Sequence, residues 1–319
     1  MPMQQRWLWL VLGALSIQAA YGDEWAQLTH AAKAGQTLNL EGQYVRQTGE
    51  GLSTFAIYRL RQGRNVVERR IALDGAAREL IRTRNSVRFF TADSQGLLQA
   101  KMDSIRFFPA TLPSDTQVLK NSYAAEEGDL GRIAGKECRW VWLIPHDADR
   151  YTQGFCVDTR HNLPLIQTYK NASGIKEINV FTHLSFTDPS TDDIAPDAGL
   201  TVQDALQLPP ELNRTHLRST TVRDAYISQL PDGFFILRHN DMKTANGGQG
   251  RHYVIGDGLI HVSLFIEQLP AAVNTSHRVG VVSGALSMAE ATMGDFKMIA
   301  IGDLPPRGLS NLLRSIEIK

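Results

Sequence analysis

The sequence predicts a mainly antiparallel β protein of the α+β class: a large curled sheet or open barrel, followed by a smaller α/β domain. Three observations predict it. Short runs with period-two alternation follow one another closely, most clearly in Thr54-Phe55-Ala56-Ile57-Tyr58-Arg59-Leu60. Glycines at 49, 51, 63 and 75 separate these runs, where a reversing backbone needs conformational freedom. Helical periodicity is scarce, with Trp25, Leu28 and Ala32 its clearest instance.

The first 22 residues read as a secretory signal cleaved after Gly22. Arg6 supplies the positive charge, Trp7 to Ile17 a short apolar run, and Ala20-Tyr21-Gly22 the small residues before the cut. The apolar run falls short of the roughly 20 residues that a spanning helix needs. The remaining chain of about 297 residues suggests two domains or one large one. Thirty-three basic residues balance 33 acidic ones, so net charge points to neither nucleic acid nor a membrane surface.

After a helix from Glu24 to about Lys33, strands are expected over Leu38 to Arg46, Thr54 to Arg61, Asn65 to Leu73, Glu79 to Arg84 and Ser86 to Thr91. Ser114 to Ala125 reads as a short helix capped by Ser114 or Asp115. Strands resume from Leu130 to Phe186, which closes an N-terminal β domain over 23–187. Prolines 189, 196, 209 and 210 and four aspartates mark 188–213 as a linker, with a short helical piece near Thr201 to Gln207. The second domain, 214–319, centres on a hairpin whose reversal is Gly256-Asp257-Gly258. Further strands are expected at Val279 to Val282 and Phe296 to Ile301. The end of the chain reads as a helix from Arg307 to Ser315 or as a strand from Arg314 to Ile318.

Cys138 and Cys156 are the two cysteines, and an exported chain with one pair invites a disulfide. Cys138 to Ile144 and Tyr151 to Asp158 read as two strands joined through Pro145 to Asp149. A hairpin centred on Asp147 sets the cysteines opposite each other, close enough to bridge. Two buried thiols are the alternative.

Catalytic signatures are missing from the sequence. There is no Gly-x-Ser-x-Gly elbow and no zincin histidine pair. Ser173-Gly174-Ile175-Lys176 has the Ser-x-x-Lys spacing but sits in a turn between strands. His146, Asp147 and Asp149 could loosely hold a cation, although a solvated turn explains them better. Asn246 to Gly250 reads as a glycine-rich loop. The sequence therefore implies no enzyme, no metal and no cofactor.

Two features remain. Nine arginines between Arg59 and Arg88 face only Glu68, Asp74 and Glu79. Arginine suits carboxylate and phosphate recognition, so Arg59, Arg61, Arg69, Arg70, Arg82 and Arg88 are candidate contacts for an acidic partner or anionic ligand. A solvated sheet face is the plainer explanation. The second feature is the pair of segments Arg88-Phe89-Phe90 and Arg106-Phe107-Phe108. Neighbouring strand residues point to opposite faces, so one phenylalanine of each pair faces a second layer, a groove or solvent, with core packing against the helices the plainer explanation. Phe90, Phe107 and Phe108 are accordingly candidates for lipid or partner contact.

In its order of motifs the chain resembles the RseB/MucB family, periplasmic regulators of the sigma-E envelope-stress response. In the first domain the likeness rests on Leu40-Glu41-Gly42-Gln43-Tyr44-Val45, Glu68-Arg69 through Gly75, Ile133-Ala134-Gly135 and Asp149-Arg150-Tyr151. In the second it rests on Gln229 through Phe234 and on Gly256-Asp257-Gly258 through Glu267. The resemblance implies a half-open barrel like those of the carriers LolA and LolB, then a smaller α/β domain. It implies a negative regulator that binds the periplasmic domain of a transmembrane anti-sigma factor, protects it from regulated proteolysis, and is released by lipopolysaccharide or related lipid. A periplasmic lipid or lipoprotein carrier is the alternative. The resemblance brings no catalytic residues, and self-association into a homo-oligomer stays open.

Overall fold

The structure, a computed structural model, describes residues 23–93, 107–207, 227–243, 248–269 and 276–318. The signal segment thus lies outside the described residues, as do Arg106, Asn246 and Gly247. Antiparallel strands dominate and helices are few. A large open sheet forms the N-terminal part, and a separate smaller sheet forms the C-terminal domain.

Helix α1, Glu24–Thr37, opens the chain. Asp23 caps it by accepting from the backbone N–H groups of Trp25 and Ala26. It runs one turn beyond the expected end. Five strands follow: β1 (Leu40–Thr48), β2 (Gly51–Gln62), β3 (Asn65–Ala72), β4 (Arg78–Arg82) and β5 (Ser86–Thr91). The expected helix at 114–125 is only a 3-10 turn, Thr116–Asn121, capped by Asp115, and Tyr123 already belongs to a strand. Then come β6 (Tyr123–Ile133), β7 (Lys136–Pro145), β8 (Thr152–Asp158), β9 (Pro164–Asn171), β10 (Gly174–Ser185) and β11 (Thr201–Gln207). Their order across the sheet is β11-β5-β4-β3-β2-β1-β10-β9-β8-β7-β6.

β11 corrects the expectation of a helical piece there. It pairs antiparallel with β5, Thr201 opposite Thr91 and Gln207 opposite Ser86. The exposed edge of β5 supplies hydrogen-bond partners that local propensity cannot anticipate. The segment before it lies on the sheet as well. Arg69 Nη1 donates to the carbonyl of Asp193 at 3.2 Å, and the Asp197 N–H donates to Glu79 Oε2 at 3.2 Å.

The cysteines do bridge, with Cα atoms 5.3 Å apart. The register differs from the expected one by two residues. Cys138 stands opposite Asp158 and Trp140 opposite Cys156, because the turn centres on Ala148 rather than Asp147. The bridge therefore joins diagonal neighbours.

The smaller domain begins with β12 (Ile227–Gln229), which pairs β19 (Glu317–Ile318). Its main sheet joins β13 (Phe235–Lys243), β14 (Gln249–Gly256), β15 (His261–Gln268), β16 (Ser276–Ser283), β17 (Leu286–Met293) and β18 (Phe296–Gly302), ordered β13-β14-β15-β18-β17-β16. Gln249 and Gly250, expected in a loop, begin β14. Both C-terminal expectations are met in part: helix α2, Pro306–Ser315, buries Leu309, Leu312 and Leu313, and the last residues, Glu317–Ile318, form β19. One apolar cluster runs through both domains, from Leu28, Val141 and Phe155 to Phe234, Tyr253 and Leu313.

Candidate binding site

Strand alternation sorts the arginines. On one face of β2–β4, Arg59 lies opposite Glu68, and Glu68 opposite Arg82. Arg59 is 1% exposed, Glu68 2% and Arg70 3%, which is rare for charges unless they are paired. They are. Arg59 Nε donates to Glu68 Oε2 at 2.9 Å and its Nη2 bonds the same oxygen, while Arg70 Nε donates to Oε1 at 2.8 Å. Burial alone would raise the Glu68 pKa; the charges of Arg70, Arg59 and Arg82 outweigh it and hold the carboxyl at about 2.

Arg70 extends this network to an aromatic group. Its Nη2 donates to the Phe108 carbonyl at 2.8 Å and its guanidinium lies over Tyr44 and Phe107. Phe108, 1% exposed, packs on Tyr44 and Phe181 with ring centroids 5.3 and 5.0 Å away. Arg82 lies 4.2 Å over Phe107. Five of the candidates, Arg59, Arg70, Arg82, Phe107 and Phe108, thus form one cluster.

The other four lie elsewhere. Arg69 makes a bidentate pair with Glu79, at 2.8 and 2.7 Å, on the opposite face. Arg88 is exposed and lies over Phe90, which is itself buried. Arg61 is exposed at the end of β2 and donates to the Gly63 carbonyl. Phe107 and Phe108 do not stand on a strand; Phe108 and Pro109 form a turn closed by the Ala110 N–H donating to the Phe107 carbonyl.

Beside the cluster is a cavity of about 310 Å³. The end of α1, from Gly35 to Thr37, forms one wall; Arg59, Arg64, Glu68, Arg82 and Arg84 contribute to the other. Arg64 and Arg84 belong to the same run of nine arginines but are not among the candidate contacts that the sequence suggests.

The domain junction holds a second buried cluster. Asp257 Oδ2 accepts from Arg150 Nε at 2.8 Å and from the Tyr123 hydroxyl at 3.1 Å. Its Oδ1 accepts from the N–H groups of Leu259 and Ile260 within its own turn. Arg150 also pairs with Asp147 and lies over Phe234. Burial, followed by the negative charge of Asp257, pushes the Tyr123 hydroxyl well above its usual range. Asn311 donates to Asp149 Oδ1, so two carboxylates of the 146–149 turn serve as contacts to neighbouring groups. Gly284, at φ +58°, lets the β16–β17 turn approach Thr48 and Glu177. Asp257 was legible as a turn residue; its role as a clamp was not, since its partners are more than 100 positions away.

Fold and junction together define a two-domain β protein: a large open sheet clamped to a smaller antiparallel sheet through buried polar contacts. The chain belongs to the MucB/RseB family, whose N-terminal domain pattern matches residues 23–202 and whose C-terminal domain pattern matches 223–317. It is 22% identical to the sigma-E factor regulatory protein RseB of Haemophilus influenzae, over 92% of this chain and 90% of that one. It is 20% identical to RseB of Escherichia coli K12, over 99% and 98%. Among solved structures it is similar to the Pseudomonas aeruginosa MucA/MucB complex, with a TM-score of 0.73, 22% identity, and coverage of 93% of this chain and 99% of that one. A crystal structure of MucB gives a TM-score of 0.65 at 21% identity, covering 94% and 99%.

Proposed function

We propose that this protein is a negative regulator of a sigma-E envelope-stress response, acting in the periplasm by binding the periplasmic domain of a transmembrane anti-sigma factor. The observation that carries the reading is the family match over both domains, together with relatives described as sigma-E regulators. A similar fold is described in complex with MucA, in one case with its periplasmic part. The mechanism is mass action. A partner held in the complex is withdrawn from the initiating protease, and a lipid or lipopolysaccharide signal that favours the free regulator restores cleavage. Of the arginines first singled out, Arg61 and Arg88 remain exposed and can meet an acidic segment of the partner. Arg59 and Arg70 are committed to Glu68 and serve the fold.

The experiment is titration of the mature protein with the anti-sigma factor's periplasmic fragment by calorimetry. Saturable binding at micromolar concentration or tighter supports the reading; no heat of binding up to about 100 μM rejects it.

A further inference from the structure

Among the described strands, the sheets end in edges of unlike character. A strand edge offers its backbone N–H and C=O groups to any other chain, so edges are ordinarily blunted by charge or by a bulge. β13, at one end of the smaller sheet, carries Arg238, Asp241 and Lys243. β6, at one end of the large sheet, carries Glu126, Glu127 and Asp129, and its register shifts between Glu127 and Leu130. β16, at the other end of the smaller sheet, is not blunted in this way. From Val279 to Val282 it holds no charge, and its register shifts only after Val281. Val279, Val281 and Val282 are 45%, 54% and 40% exposed.

Alternation places two of these valines beside α2. His277, Val279 and Val281 stand opposite Ala291, Ala289 and Ser287 of β17, which are buried. Ala289 and Ala291 pack in the cluster that holds Leu309, Leu312 and Leu313 of α2. His277 Nε2 lies 2.6 Å from Ser310 Oγ of the same helix, so α2 packs on this face and leaves Val279 and Val281 open. Arg307 and Arg314, one turn before and one turn after Ser310, are exposed, as is Arg278 on β16 itself. None of the three has an ion-pair partner among the described residues; Glu290, opposite Arg278, pairs with Lys297 at 3.3 Å. β16 ends at the domain junction. There Ser283 Oγ and the Gly284 N–H donate to Glu50 Oε2 at 3.3 and 3.1 Å, and the Ala285 N–H donates to Glu177 Oε2 at 3.3 Å.

Given the regulatory role proposed for the protein, on which this site rests, we propose that β16 is a docking edge for an extended segment of the anti-sigma partner, which adds to the smaller sheet as a further strand. Alternate residues of an edge strand direct their N–H and C=O groups away from the sheet, and only an extended polypeptide satisfies such a row. The class of the occupant therefore follows from the backbone. Its side-chain pattern follows from the surroundings: apolar residues at alternate positions beside Val279 and Val281, and acidic residues toward Arg278, Arg307 and Arg314. The same charges disfavour a second copy of this chain, because two β16 edges brought together gather both sets of arginines at one seam. The contacts of Ser283, Gly284 and Ala285 with the large sheet hold the docking edge in place at the junction.

The test is amide hydrogen exchange of the mature protein, alone and with the anti-sigma factor's periplasmic fragment at about ten times its Kd. Exchange over 278–282 should slow by about tenfold, with the β13 edge unchanged. The accompanying variant is Val279→Glu/Val281→Glu, at two exposed positions. It should keep the wild-type melting temperature and bind the fragment about tenfold or more weakly, since its carboxylates meet an acidic segment. A fragment that binds wild type and variant alike, or that binds without slowing exchange in β16, overturns the docking edge and leaves the regulatory role standing. Protection of β16 that appears without fragment and grows with protein concentration overturns it in favour of self-pairing. A fragment that fails to bind the wild-type protein rejects both the edge and the role.

Discussion

Asp257 offers the sharpest test of how the domains are held. Its side chain is 0% exposed and that of Arg150 6% exposed, so their pair is shielded from solvent. Removing one partner of such a pair typically costs about 3–5 kcal/mol, because the other charge stays buried without compensation. Asp257→Asn retains an oxygen for the Leu259 and Ile260 N–H groups but sets an amide donor against Arg150 Nε. We expect a loss of about 3 kcal/mol, measured by urea unfolding. Arg150→Met also loses the Asp147 contact and the stacking on Phe234, so its cost alone says little about the clamp. The double-mutant cycle isolates the pair, and contacting charges of this kind couple by about 0.5–3 kcal/mol. Here the coupling should lie near about 2 kcal/mol, since Arg150 Nε and Asp257 Oδ2 are 2.8 Å apart and buried. A coupling within about 0.5 kcal/mol of zero would refute the clamp.

Three further outcomes follow from particular contacts. Reduction of Cys138–Cys156, which are 18 residues apart, should lower stability by about 3 kcal/mol in urea unfolding with and without reductant; two reactive thiols in unreduced, denatured protein would contradict the bridge. Glu68 has its carboxyl pKa lowered from 4.5 to about 2 in the folded state, so its contribution is present above pH 4.5 and is lost as pH falls toward 2. That contribution is about 3 kcal/mol, and acid unfolding of Glu68→Gln should lack the corresponding slope. Gly308→Ala should destabilise the protein by about 1–3 kcal/mol in thermal melts, although Gly to Ala inside a helix ordinarily stabilises. The added methyl would overlap the backbone carbonyl of Asp149, against which α2 is seated.

The elements that were legible in the sequence are those whose causes are local. Alternation along Thr54–Leu60 and the Asp-Gly reversal at 257–258 marked strands and a hairpin because side-chain period and turn chemistry act over a few residues. The cysteine pairing was legible for the same reason. Its register was not, since moving the turn centre by one residue slides the strands by two. β11 was misread as helical because the bare edge of β5 decides its conformation. The arginine run was visible as composition, but which face each arginine takes depends on the registry of β2, β3 and β4. That registry buries Arg59 and Arg70 around Glu68, while Arg61 is exposed at the end of β2 and Arg88 is exposed on β5. The Asp257 clamp and the cavity wall at Gly35–Thr37 bring together residues far apart in the chain, and no short window of sequence contains them.

The measurement that bears most directly on the proposed role is protease protection. The anti-sigma factor's periplasmic fragment is incubated with its initiating protease, with increasing amounts of the mature protein, and the rate of cleavage is followed. If the regulator withdraws its partner by binding, free fragment falls to about one part in eleven at tenfold excess over Kd, and cleavage slows by about tenfold. The protection curve should then superimpose on the calorimetric binding curve. Saturating complex that is cleaved at the rate of the free fragment would contradict the account.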